Sequence, residues 1–140
     1  NRDSSRIPQG VYPCKGSDEW IALSIENDLD WKTLCRYAGL SHWSDLTREE
    51  RHQNIDEIEV ALAKWTRLQA AHPLEARLQT DGLIAAALRN GRDLYDDPQL
   101  SHGPFWARTL HPEAGAHAEP GCPIRLEKTP AAYRRLTGGI

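Results

Sequence analysis

The chain has 140 residues, 39% of them hydrophobic, with 10 glycines and 9 prolines, a single-domain length and a globular composition that exclude both disorder and fibrous repeats. Seventeen Lys+Arg against 20 Asp+Glu leave a net charge of −3, scattered along the chain, so no field favours nucleic acid or an anionic membrane. The longest apolar run, Leu83 to Leu88, is too short to cross a bilayer, and the first residues lack the apolar centre of a signal peptide, so a cytoplasmic chain is expected.

Cys14, Cys35 and Cys122 are odd in number and widely spaced, which suits neither a disulfide framework nor a CxxC motif; thiols in a reducing compartment are expected. The chain contains no Met, so residue 1 is expected to arise from processing or a cloning boundary.

Residues 1–9 mix charge, serine and Pro8 without period and read as a linker. From Gly10, the runs Val11 to Cys14 and Trp20 to Ile25, joined by a Gly-containing polar stretch, predict a β-hairpin, with Pro13 confining its strand to an edge. Asn27 or Asp28 can cap a short helix whose apolar residues Trp31, Leu34, Cys35 and Ala38 fall at helical spacing, with Gly39 as its stop. Thr47 and Glu50 form a capping box opening one longer helix with the apolar face Ile55, Ile58, Leu62 and Trp65. His72-Pro73 restarts a helix that Asp81-Gly82 ends.

Leu83 to Leu88 predicts a short buried strand, despite its alanines. Asp96-Asp97-Pro98 offers a cap and one helical turn. Phe105 to Leu110 and Ile124 to Leu126 read as strands separated by a Pro/Gly-rich loop from His111 to Pro123, and the tail from Thr129 is irregular. The fold class is therefore α+β: a small domain with short helices packed on a few short, mainly antiparallel strands.

Several residue types could carry chemistry. His111 and His117, with Glu113 and Glu119 nearby, are the tightest group of potential metal ligands, but their spacing lacks the compact pattern of a zinc site, and no metal is expected. Cys35 lies on an apolar helical stripe and reads as a packed thiol, while no histidine is placed beside Cys14 or Cys122 to activate a nucleophile. No GxSxG, Walker A, GxGxxG or HExxH pattern is present. Trp20, Trp31 and Trp65 read as core, whereas Trp106, beside Gly103-Pro104-Phe105, is a candidate pocket wall. Arg134-Arg135 could meet a phosphate but reads as a solvated pair. The residues alone thus give an α+β domain without a self-contained active site.

The stretch Gly10 to Leu23 (GVYPCKGSDEWIAL), followed by Glu26-Asn27-Asp28 and Trp31 to Leu34 (WKTL), resembles the segment that opens the small domain of class III CoA-transferases. That family groups formyl-CoA transferase, carnitine CoA-transferase and α-methylacyl-CoA racemase. Trp65-Thr66, Leu78 to Gly82 (LQTDG), Asp97 to Leu100 (DPQL), Gly103 to Trp106 (GPFW), Leu110 to Gly115 (LHPEAG), Pro123 to Leu126 (PIRL) and Thr129-Pro130 continue the resemblance in family order. Two departures stand out: Gly82-Leu-Ile-Ala-Ala-Ala lacks the proline that relatives tend to carry there, and the chain stops at Ile140 without their Pro-rich link and final helix.

The resemblance implies a CoA-transferase moving CoA between an acyl-CoA thioester and a carboxylic acid, through an aspartate that forms covalent acyl and CoA intermediates. In the racemase branch it implies proton removal and return beside the thioester carbonyl. The family's aspartate belongs to a Rossmann-like large domain upstream of everything matched here, so no catalytic residue is assigned, and the chain alone is expected to be inactive. Its implied part is to shape and close the acyl pocket, with Gly103, Phe105 and Trp106 as candidate substrate-binding residues, and to contribute to an interlocked homodimer. Coenzyme A thioester is implied as substrate, with no tightly bound cofactor, no metal, and neither nucleic acid nor membrane as partner. The expected organisation is a linker over 1–9, the small domain over 10–126 and an irregular tail over 127–140. The alternatives are part of an α-methylacyl-CoA racemase and a freestanding, non-catalytic binding or assembly module.

Overall fold

A computed structural model describes residues 5–103, 105–111, 113, 115–124 and 126–130. The chain divides into two compact units, Asn1–Leu88 and Arg89–Ile140.

In the first unit, β1 (Gln9–Pro13), β2 (Trp20–Ser24) and β3 (Ile84–Ala87) form an antiparallel sheet in the order β1-β2-β3. The expected hairpin is present: Val11 pairs with Ala22 and Pro13 with Trp20, and β1 is an edge strand, where a residue lacking an N–H is tolerated. Lead-in residues are tied to it, since Ile25 N donates to Pro8 O at 3.1 Å and Ile7 is buried. β3 is also an edge strand rather than a fully buried one. Ala85 and Ala87 face the core while Ile84 is 47% exposed, because an antiparallel sheet with helices on one face alternates in burial.

Four α-helices, with a short 3-10 helix at Ser41–Trp43, follow between β2 and β3. The first, α1 (Asp28–Ala38), begins at Asn27, whose side chain accepts from Asp30 N, and ends at Gly39 in the left-handed region (φ 69°), as its sequence predicts. Trp31, Leu34 and Cys35 are buried along its inner face, and Trp31 Nε1 donates to Trp43 O at 2.7 Å.

The expected longer helix is two helices, α2 (Arg48–Gln53) and α3 (Ile55–Thr66). The Thr47–Glu50 capping box opens α2 as predicted. The break falls at Asn54, with φ −102° and ψ 17°, where the side-chain amide donates to Glu50 O at 2.8 Å and competes with continuation of the helix. Ile55, Ile58 and Leu62 are buried as predicted, but the last inward position belongs to Thr66 rather than the half-buried Trp65. Thr66 can lie inside because its hydroxyl reaches Pro13 O at 2.8 Å and Leu62 O at 3.0 Å. α4 (Ala71–Thr80) buries Ala71, Leu74 and Leu78, and Gly82 (φ 81°) turns the chain into β3.

The second unit holds α5 (Gly91–Tyr95), α6 (Pro98–His102), β4 (Trp106–His111) and β5 (Gly115–Pro120). The α6 turn and β4 follow the sequence expectation. α5 was not foreseen; its start is a capping box between Asn90 and Asp93, on an element of 5 residues with no apolar period. The expected loop from His111 to Pro123 instead contains β5, paired antiparallel with β4 from Trp106↔Pro120 to His111↔Gly115. Conversely, Ile124 and Leu126 lie in no strand and are 66% and 55% exposed. The β5 residues Gly-Ala-His-Ala-Glu-Pro have low strand propensity, so inter-strand hydrogen bonding, and not side-chain preference, makes this strand. The whole is the predicted α+β class. Arg134 and Arg135 lie outside the described residues, and no described helix is long and apolar enough to cross a membrane.

Candidate functional site

Gly103, Phe105 and Trp106 sit where α6 passes into β4. Asp97 Oδ1 caps α6 by accepting from Gln99 N at 2.8 Å and Leu100 N at 3.1 Å, with Pro98 preset at the first helical position. Gly103 then leaves the helix in an extended conformation (φ −97°, ψ 172°). Phe105 is held against the far end of the hairpin by its carbonyl, which accepts from Gly121 N at 2.7 Å.

These bonds create a cavity of about 400 Å³ lined by Gln99, Leu100, His102, Gly103, Phe105, Cys122 and Pro123. Among the described residues its lining is mostly apolar, with an amide, an imidazole and a thiol as polar groups. Such a surface can shape itself to an apolar chain and exclude water, and the His102 imidazole and Cys122 thiol border it together.

Two of the three candidate residues, Gly103 and Phe105, line this cavity. Trp106 does not: it packs edge-on against Phe105 with ring centroids 5.0 Å apart, and against Tyr95, also at 5.0 Å. Its Nε1 is buried and finds no acceptor among the described residues, a cost of about 1–3 kcal/mol for a buried donor. The sequence names Cys122 only as a thiol with no histidine placed beside it, and does not point to Tyr95, because a lone cysteine and a tyrosine in a polar stretch carry no spacing signal.

A second cavity of about 240 Å³ is lined by Tyr95, Arg108, Ala116, His117 and Ala118. On the hairpin, His117 Nε2 lies 2.9 Å from Glu119 Oε1, and its Nδ1 3.2 Å from Gly115 O. The Glu119 hydrogen bond, reinforced by the Gly115 carbonyl, raises the His117 pKa above the usual histidine value. Among the described residues, no group of three or more His, Cys, Asp or Glu could hold a metal ion.

The thiols have different surroundings. Cys14 and Cys35 are buried and Cys122 is exposed. Burial pushes Cys35 up to about 12 and also raises Cys14, which Glu19 raises further, so neither inner thiol is poised as a nucleophile. A surface cluster at the ends of α1 and α4 is structural in character: Tyr37 Oη donates to Asp81 Oδ2 at 2.9 Å, Arg36 pairs with the same oxygen at 2.9 Å, and Arg77 lies over the Tyr37 ring at 5.3 Å.

Comparison with known proteins gives one family. A family model described as CoA-transferase family III matches residues 1–137. The chain is 28% identical over 130 residues to the probable CoA-transferase Rv1866 of Mycobacterium tuberculosis, covering 90% of this chain but 16% of that protein. Among solved structures, its fold is like that of a CAIB/BAIF family protein from Brucella suis (TM-score 0.69, 17% identity, 89% of this chain and 36% of that one). It is also like Rv3272 from M. tuberculosis (TM-score 0.67, 19% identity, 90% and 36%). The chain therefore spans about a sixth of its curated relative and about a third of these solved chains.

Proposed function

The chain belongs to CoA-transferase family III, and from that membership we propose that it forms the small-domain part of a longer enzyme that moves CoA from an acyl-CoA thioester to a free carboxylic acid. The reaction exchanges one thioester for another: the donor acid leaves as a carboxylate and the acceptor carboxylate becomes the new thioester. A carboxylate nucleophile supplied outside these residues, on the family pattern, would divide the transfer into two covalent steps. This chain would enclose the substrate and contribute to a homodimer, and is inactive alone.

The observation that carries the reading is the family match over residues 1–137. It is supported by the mostly apolar lining that the described residues give the 400 Å³ cavity, which suits the wall of an acyl pocket. In this reading Gly103 and Phe105 contact the acyl group, and Trp106 holds Phe105 from behind.

The test starts from the native gene product, recovered from its source with an antibody against this chain and weighed intact. A product several-fold heavier than 15.8 kDa, catalysing CoA transfer to a free carboxylate, is the expected result. Exchange of an α-proton with solvent without CoA transfer would point to a racemase instead. A product near 15.8 kDa, without transfer, would overturn the reading in favour of an independent module. In the complete enzyme, Phe105→Ala is expected to raise KM for the acyl-CoA more than it lowers kcat; unchanged kinetics would remove Phe105 from the pocket.

A further inference from the structure

We propose that the face of the β4–β5 hairpin carrying Trp106, Arg108 and Leu110 binds an oxyanion on an apolar body, with the Arg108 guanidinium holding the anion. The register pairs Arg108 with Ala118 and Thr109 with His117, and side chains alternate across a sheet. Trp106, Arg108, Leu110, Ala116 and Ala118 therefore share one face, while Thr109, His117 and Glu119 share the other. The contacts agree: His117 lies 2.9 Å from Glu119 and 3.5 Å from the Thr109 hydroxyl.

This division separates Glu119 from Arg108, although His117 also borders the Arg108 cavity. The carboxylate of Glu119 is engaged by His117 on its own face, away from Arg108. Among the described residues, none forms a hydrogen bond or ion pair with Arg108, although it lines a cavity of about 240 Å³ with Tyr95, Ala116, His117 and Ala118. The alanines leave room beside the guanidinium. Tyr95, 52% exposed and stacked on Trp106 at 5.0 Å, offers a flat wall, and Leu110, 62% exposed, extends the apolar strip. A planar guanidinium without a partner among the described residues is matched by a carboxylate or a phosphate, and the surrounding surface suits an aliphatic chain or a flat ring.

Both substrates of the proposed transfer carry that chemistry: the acceptor as a carboxylate, the thioester through the phosphates of CoA. Naming them rests on the transferase reading, whereas the site itself does not. The experiment is a calorimetric titration of the 140-residue chain with butyrate, with CoA and with 3′-dephospho-CoA, for wild type, Arg108→Ala, Arg108→Lys and, as an exposed control in the first unit, Arg67→Ala.

Saturable binding is expected for at least one probe. It should weaken tenfold or more in Arg108→Ala, weaken less in Arg108→Lys, and be unchanged in Arg67→Ala. Binding of butyrate alone identifies the carboxylate as the source. Binding of CoA, weakened in dephospho-CoA, identifies the 3′-phosphate, and equal binding of the two CoA forms identifies the pyrophosphate. Absence of saturable binding by all three, or equal affinity in wild type and Arg108→Ala, overturns the site. CoA transfer by the complete protein in that case would leave the transferase reading standing, so the two failures are distinguishable.

Discussion

Arg51 of α2 and Asp28 of α1 form a one-sidedly buried ion pair: Nη1 donates to Oδ1 at 2.8 Å, with the arginine side chain 1% exposed and the aspartate 66%. The same guanidinium donates to Ile7 O at 3.0 Å and Leu46 O at 2.9 Å and lies over the Trp31 ring at 5.6 Å. One cation thus ties the lead-in, α1, the loop before α2 and the core tryptophan together. The break at Asn54 ends α2 before α3 begins, and Arg51 is the buried residue of α2.

Arg51→Met is expected to cost about 2–4 kcal/mol, because it strips a buried and a partly buried carbonyl of their donor and removes the stacking on Trp31. Asp28 itself would stay hydrated. Urea denaturation of the two proteins measures this; a loss below about 1 kcal/mol would mean that water replaces the guanidinium and that the bridge is not a tie.

Thr47→Ala removes the cap of α2 and is expected to destabilise by about 1 kcal/mol. The capping box also sets a pH dependence. The Thr47 amide, then its hydroxyl, hold the Glu50 carboxyl below its ordinary value. A depressed folded pKa means stability that is present above the unfolded value and lost as pH falls through the folded one. Melting curves below neutral pH should therefore fall less steeply for Glu50→Gln than for wild type, and identical slopes would remove the Glu50 contribution.

His117 has the opposite sign. Its folded pKa is raised by Glu119 and the Gly115 carbonyl, so the stabilisation it confers is complete below the ordinary histidine value and disappears as pH rises through the folded value. In an NMR titration its ring protons should shift with a midpoint above that of an unstructured histidine. Glu119→Gln should lower the midpoint; an unmoved midpoint would show that the contact is absent in solution.

Thiol labelling separates the cysteines by burial. Cys122 should react first with an aromatic disulfide reagent, while Cys14 and Cys35 react only on unfolding, because both are buried and their thiolates disfavoured. A native chain that releases more than one equivalent before unfolding would contradict the packing around α1.

Local signals in the amino-acid order specify much of the first unit. The hairpin, the Asn27 and Thr47 caps, the Gly39 stop and the inward stripe from Trp31 to Cys35 each depend on contacts within a turn or two of the chain, where spacing and side-chain chemistry suffice. The ordered family motifs are equally local, and residue order alone carries them.

Other features were decided only by the folded chain. Whether Leu83 to Leu88 is wholly or half buried depends on which strands flank it, and β3 has a neighbour on one side only. β5 exists because β4 offers it a ladder, through residues with little strand preference. The candidate pocket divides likewise: Gly103 and Phe105 could be named from a short motif, but the cavity also needs Cys122, and Trp106 turns out to stand behind the wall. The orientation of Arg108, on the hairpin face opposite Glu119, depends on register. The physical reason is common to all of them. Burial, strand pairing and the meeting of distant side chains are set by contacts across long sequence separations, and those contacts leave no periodicity in the sequence to read.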